Sequence, residues 1–136
     1  IGSFPPPGHT LRKIGVDTLV LCAMELQPES NAFPGIRVIH APLDDAEMDK
    51  RTERIASNAA KQVACEILAG KRVLATCAQG RNRSGLVCAL ALHMLTGASG
   101  RRCREAVQAK RDGALTNGNF VRHLDSLMAS NQQVAR

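Results

Sequence analysis

Aromatic residues are nearly absent. Phe4, Phe33 and Phe120 are the only three, with no Trp and no Tyr, 2% of 136 residues. So few rings imply an aliphatic core and leave no stacking platform for single-stranded nucleic acid. Long apolar runs are missing as well. The longest, Leu86 to Leu95, is broken by His93 and falls far short of the ~20 residues that a membrane span needs. Cys22, Cys65, Cys77, Cys88 and Cys103 contain no CxxC or CxxxC pair, and five is an odd number. Scattered among apolar segments, they do not make a secreted disulfide framework. The four histidines show no metal-ligand spacing, so neither a metal nor another cofactor is expected. The expectation is reduced thiols in a cytoplasmic, reducing compartment. The sequence opens at Ile1 without a Met or a signal-like region, so a trimmed start is expected and targeting is not read from it.

What is present describes an ordinary globular chain. Hydrophobic residues make up 44% and charged residues 22%, which excludes disorder and collagen-like repeats. The length suits one domain over residues 1–136. Eighteen Lys and Arg against twelve Asp and Glu give a net charge of +6, a surface that favours anionic partners without choosing among them.

The apolar pattern alternates between short strands and longer helices. Pro5-Pro6-Pro7-Gly8 is a stiff turn. Val16 to Cys22 and Ile36 to His40 read as strands, separated by a loop over Gln27 to Gly35. Asp49 begins a helix whose buried face is expected to carry Ile55, Ala59, Val63 and Ile67, ended by Gly70. Arg72 to Thr76 is a third strand, and Cys77 to Arg83 a polar turn. Ser84 to Thr96, closed by Gly97, is expected to be a helix buried on all sides. Ser99 caps a helix to about Arg111, and either Asn117 or Asn119 caps the last one. Alternation of this kind predicts an α/β fold with a central, mostly parallel sheet flanked by helices.

The turn after the third strand carries the chemistry. A strand delivers Cys77 to the sheet edge, and a helix starts just after Arg83. At such a junction several backbone N–H groups converge and the helix dipole adds to them, which makes an anion cradle from Ala78, Gln79, Gly80, Arg81 and Asn82. Arg83 can grip two oxygens of a tetrahedral oxyanion. The same field favours a Cys77 thiolate; bringing a thiol from ~8.5 to ~5 takes roughly 5 kcal/mol. The alternative, that Cys77 is a small buried hydrophobe, fits poorly with its polar, cationic surroundings.

The segment Cys77 to Arg83-Ser84 resembles the Cys-x5-Arg-Ser/Thr phosphate loop of cysteine-dependent phosphatases, specifically the dual-specificity branch. The resemblance extends to Ile1-Gly2-Ser3 as an opening strand and to Leu11 with Gly15-Val16-Asp17-Thr18 as a helix-to-strand junction. It also extends to Arg111, Asn117, Phe120 and Leu124 in the closing helices. Classical tyrosine phosphatases are similar at the loop only, being longer and using aromatics to wall a deep slot. The resemblance implies a metal-independent phosphate monoester hydrolase. Cys77 is its nucleophile and forms a phosphocysteine; Arg83 and the loop amides hold the phosphoryl oxygens. Asp45 is the general acid, with Asp44 as runner-up, and Ser84 stabilises the departing thiolate or serves as a helix N-cap. The usual His before the cysteine is here Thr76, which implies lower activity or a less depressed thiol. Arg81 either faces the pocket mouth or is a solvated loop residue. Cys22 is either an oxidative disulfide partner of Cys77 or core packing, and Cys65 and Cys88 are expected in the core. Arg101, Arg102, Arg104, Lys110 and Arg111 form a basic face that can dock acidic substrates; His93 and His123 are structural. The expected substrate is a phosphotyrosine, phosphoserine or phosphothreonine protein. The alternatives are a phosphoinositide, nucleotide or RNA 5′-end phosphatase, and a catalytically weak phosphate-binding module.

Overall fold

In the computed structural model, which describes residues 1–2 and 4–130, the three expected strands form one parallel sheet. β1 (Thr18–Ala23) lies between β2 (Arg37–Leu43) and β3 (Val73–Thr76). As the middle strand, β1 is buried at all six positions, and its alternation sorts residues to two faces. Leu19 and Leu21 pack with Leu11, Phe33 and Ile36 on one side. Val20 and Cys22 face the larger core on the other, with Ala60, Val63, Leu86, Leu90, Phe120 and Leu124. That larger layer is built from α2 (Lys50–Leu68), α3 (Arg83–Thr96), α4 (Gly100–Lys110) and α5 (Gly118–Asp125); a short α1 (Gly8–Lys13) follows Pro7 on the chain and contributes Leu11 to the other face. No helix among the described residues is long and apolar enough to cross a membrane.

Several boundaries and faces differ from expectation. β2 runs on through Ala41-Pro42-Leu43, which an edge strand allows because Pro42 need not donate to a neighbour. The register against β1 shifts there, with Leu21 opposite His40 but Ala23 opposite Leu43. Such a bulge bends the strand end and re-aims the loop beyond it. On α2 the buried residues are Thr52, Ala56, Ala59, Ala60, Val63 and Ala64, while Ile67 is exposed. Residues four apart drift by about 40° per step on a 3.6-residue helix, so Ile55 and Ile67 fall on the flanks of the stripe. α3 is buried from Arg83 to Val87 and at Ala89 to Ala91 but exposes Met94, so only its first half is enclosed. Cys65 is exposed on α2 rather than packed in the core, and Cys88 is half-buried. Of the two capping candidates Asn117 caps α5, its side chain accepting the N–H of Asn119 and Phe120. Gly2 makes a parallel bridge to Thr76, extending the sheet past β3; Ser3 lies outside the described residues.

Candidate active site

All three strands are parallel, so their C-terminal ends share one edge, the usual place for a site in such sheets. Glu25 follows β1, Asp44 and Asp45 follow β2, and Cys77 follows β3. At that edge lies a cavity of about 220 Å³ lined by Glu25, Asp45, Cys77, Ala78, Gln79, Arg81, Asn82 and Arg83. Asp44 is not among its walls.

Cys77 is buried, and its Sγ lies 3.2 Å from Ser84 Oγ. Burial alone would disfavour the thiolate, but the Ser84 hydroxyl and the backbone N–H groups of Ser84, Arg81 and Gly80 outweigh it and hold the thiol below its ordinary value. The other shifted cysteines go the opposite way: burial pushes Cys22, Cys88 and Cys103 up. The convergence of amides depends on Gly80, whose φ of +64° is a left-handed conformation that a side chain resists. Arg111 secures the loop from behind, donating from Nε to the Gly80 carbonyl at 3.1 Å and from a terminal nitrogen to the Gln79 carbonyl at 3.3 Å. With those carbonyls turned outward, the N–H groups face the sulfur.

Ser84 is not the N-cap of α3. That position is Asn82, which makes no side-chain cap bond, and the Ser84 hydroxyl is directed at Cys77 instead. Thr76 is fully enclosed and donates its hydroxyl to the Val20 carbonyl at 3.3 Å, so it braces β3 against β1. Cys22 lies in the same buried cluster as Cys77, its Sγ 4.0 Å from the Val20 carbonyl.

Arg83 is nearly enclosed, and its guanidinium is fixed by Glu25. The two terminal nitrogens meet the Glu25 oxygens at 2.5 and 2.9 Å, and one also donates to the Leu43 carbonyl at 3.1 Å. That bond to Arg83 holds the Glu25 carboxyl down at about 2, and the same partner raises the arginine's own affinity for its proton. An end-on pair of this kind leaves the Nε edge of the guanidinium for an oxyanion. Glu25 is the residue that sequence reading missed. Its only signal is a place just past the end of a strand adjacent and parallel to the one carrying Cys77.

Asp45 is held at both oxygens, Oδ2 by Asn82 Nδ2 at 2.9 Å and Oδ1 by Asn117 Nδ2 at 2.7 Å. Arg81 stands exposed at the cavity mouth, its side chain over Gly113 and its carbonyl accepting the Leu115 N–H. The basic face is smaller than expected. Arg111 is committed to the loop between Cys77 and Arg83 and Arg104 is paired with Asp125 at 2.8 Å, which leaves Arg101, Arg102 and Lys110. His93 donates its Nδ1–H to the Ala98 carbonyl at 2.6 Å and so braces the turn after α3.

No protein-family model matches the chain, nor does any curated protein sequence. Solved structures do. Human DUSP28 superposes with a TM-score of 0.76 at 22% identity, over 97% of this chain and 99% of that one. DUSP15 gives 0.80 at 20% identity, over 98% and 85%. A mouse putative dual specificity phosphatase complexed with zinc tungstate gives 0.77 at 24% identity, over 94% and 79%. The fold is therefore that of the dual-specificity phosphatases.

Proposed function

We propose that the chain hydrolyses phosphate monoesters through a phosphocysteine intermediate, as a dual-specificity protein phosphatase. The observation that carries this reading is the geometry at Cys77, whose Sγ lies 3.2 Å from the Ser84 hydroxyl in a cavity shared with Arg83, Glu25 and Asp45. Cys77 alone among the shifted thiols is biased toward the thiolate, and it sits in a cavity walled by a fixed arginine and two carboxyl groups, those of Glu25 and Asp45. The likeness in fold to DUSP28 and DUSP15 supports it.

Cys77 Sγ attacks phosphorus in line, and the S–P bond forms as the bond to the leaving oxygen breaks. Arg83 and the loop amides hold the equatorial oxygens, where charge develops. Asp45 gives its proton to the departing oxygen, then takes one from the water that attacks the phosphocysteine. Ser84 donates to the sulfur as it leaves again as a thiolate. No step calls on a metal ion.

Among the described residues the cavity has no aromatic wall, which supports a reading in which serine and threonine esters are admitted beside phosphotyrosine. The test is turnover of p-nitrophenyl phosphate in EDTA, its inhibition by vanadate or tungstate, and then a panel of phosphopeptides, inositol lipids, nucleotides and RNA 5′ ends ranked by kcat/KM. Highest values for phosphotyrosine and phosphothreonine peptides support the reading. Preference for a lipid, nucleotide or RNA end would keep the chemistry and replace the substrate; binding without turnover would leave only a phosphate-binding module.

A further inference from the structure

The carboxyl group assigned above as general acid is gripped by two amide side chains from opposite sides. Asn82 and Asn117 stand 37 and 72 positions from Asp45 in the chain, yet each donates to one of its oxygens, at 2.9 and 2.7 Å. Asn117 Nδ2 also donates to the Ala46 carbonyl at 3.0 Å, and Asn119 Nδ2 reaches the same carbonyl at 3.1 Å. The remaining atom of each amide is used as well. Asn82 Oδ1 accepts the backbone N–H of Thr116 at 2.7 Å and of Asn117 at 3.0 Å. Asn117 Oδ1 caps α5, accepting from Asn119 at 2.9 Å. Phosphate loop, acid loop and the start of α5 are thus hooked together at a single point.

Capping does not explain the choice of side chain. A helix start needs only an oxygen acceptor, which Ser, Thr or Asp supplies as well. Only an amide adds N–H donors, and at residue 117 they are spent on the acid loop. Residue 82 makes the same point, since its side chain turns sideways to Asp45 and α5 rather than capping α3.

We infer that Asn117 and Asn82 are positioning residues that keep the acid loop docked on the phosphate loop before substrate arrives. The inference rests on Asp45 acting as proposed. A pre-docked acid meets the leaving oxygen in a fixed orientation, without a loop closure to bring it there. Orientation of the acid matters in proportion to how badly the leaving group needs its proton, so the two asparagines should affect poor leaving groups selectively.

The experiment uses the full chain with Asn117→Ser. Serine retains the oxygen acceptor for α5 and removes the amide donors, so the thermal midpoint and vanadate affinity should stay near those of the parent. Across aryl phosphates from p-nitrophenyl to phenyl, kcat should fall about tenfold or more for phenyl phosphate, a part of the ~10²–10⁴ that a positioned acid contributes, and less than about threefold for p-nitrophenyl phosphate. Asn82→Ser should steepen the dependence on leaving group in the same sense. An equal loss on every ester, or no loss on any, with the parent active, overturns the inference and leaves the hydrolase reading intact. A parent inert toward every ester overturns that reading, and the inference with it.

Discussion

At Cys77 two effects of opposite sign meet, and the hydrogen bonds win over burial. Ser84→Ala removes the largest of them. Because only the thiolate alkylates, the rate of iodoacetamide labelling rises with pH through the thiol's pKa. In the variant that rise should move to higher pH, and labelling near neutrality should slow severalfold. An unmoved profile would mean that the hydroxyl does not tune the sulfur. Glu25→Gln tests the other fixed group. A guanidinium freed by even a small displacement should cost on the order of tenfold to a hundredfold in kcat/KM. The pair also has a pH signature. The Glu25 carboxyl is depressed to about 2, so what the pair adds to stability is present above the usual carboxylate range, about 4.3, and is lost as pH falls toward 2. Urea midpoints of parent and Glu25→Gln should therefore differ at pH 6 and converge near pH 2. At this scale the sequence was readable where partners are close along the chain: Cys77, the loop and Arg83 form one local motif. Glu25, Arg111 and Asn117 contact that motif from 31 or more positions away, and their pairing depends on strand order and helix packing that no local pattern contains.

Among the elements, strands were readable because β1 and β3 are short apolar runs, and their register brings three loops to one edge. The extension of β2 through Pro42 was not, because a proline reads as a break unless the strand is known to lie at the sheet edge. α4 and α5 meet at a contact with no room for a side chain. A Cβ on Gly100 would stand 1.9 Å from the Leu124 carbonyl oxygen and 3.0 Å from Leu127 Cβ, while the Gly100 N–H donates to the Leu127 carbonyl at 2.9 Å. Gly100→Ala must therefore push the two helices apart. Denaturant unfolding should show a loss of about 1–3 kcal/mol, the usual scale for overpacking; a neutral result would place the helices farther apart than described.

For the whole molecule, the net charge of +6 has the sign that favours the anionic substrate proposed for the site. Rising ionic strength should lower kcat/KM for multiply charged substrates through KM, because screening at 1 M salt shortens the Debye length to about 3 Å. The effect should be weak for p-nitrophenyl phosphate and stronger for an acidic phosphopeptide; equal slopes would show that the surface field plays no part.

A covalent bond between phosphorus and one sulfur is the central step of the proposed hydrolysis. Acid-quenching the protein during turnover of p-nitrophenyl phosphate, then measuring intact mass and mapping peptides, tests this directly. One phosphoryl group should be found on the peptide holding Cys77, and neither the adduct nor the turnover should survive in Cys77→Ser. Steady turnover with no phosphoryl group on that cysteine, or turnover that persists in the serine variant, would contradict it.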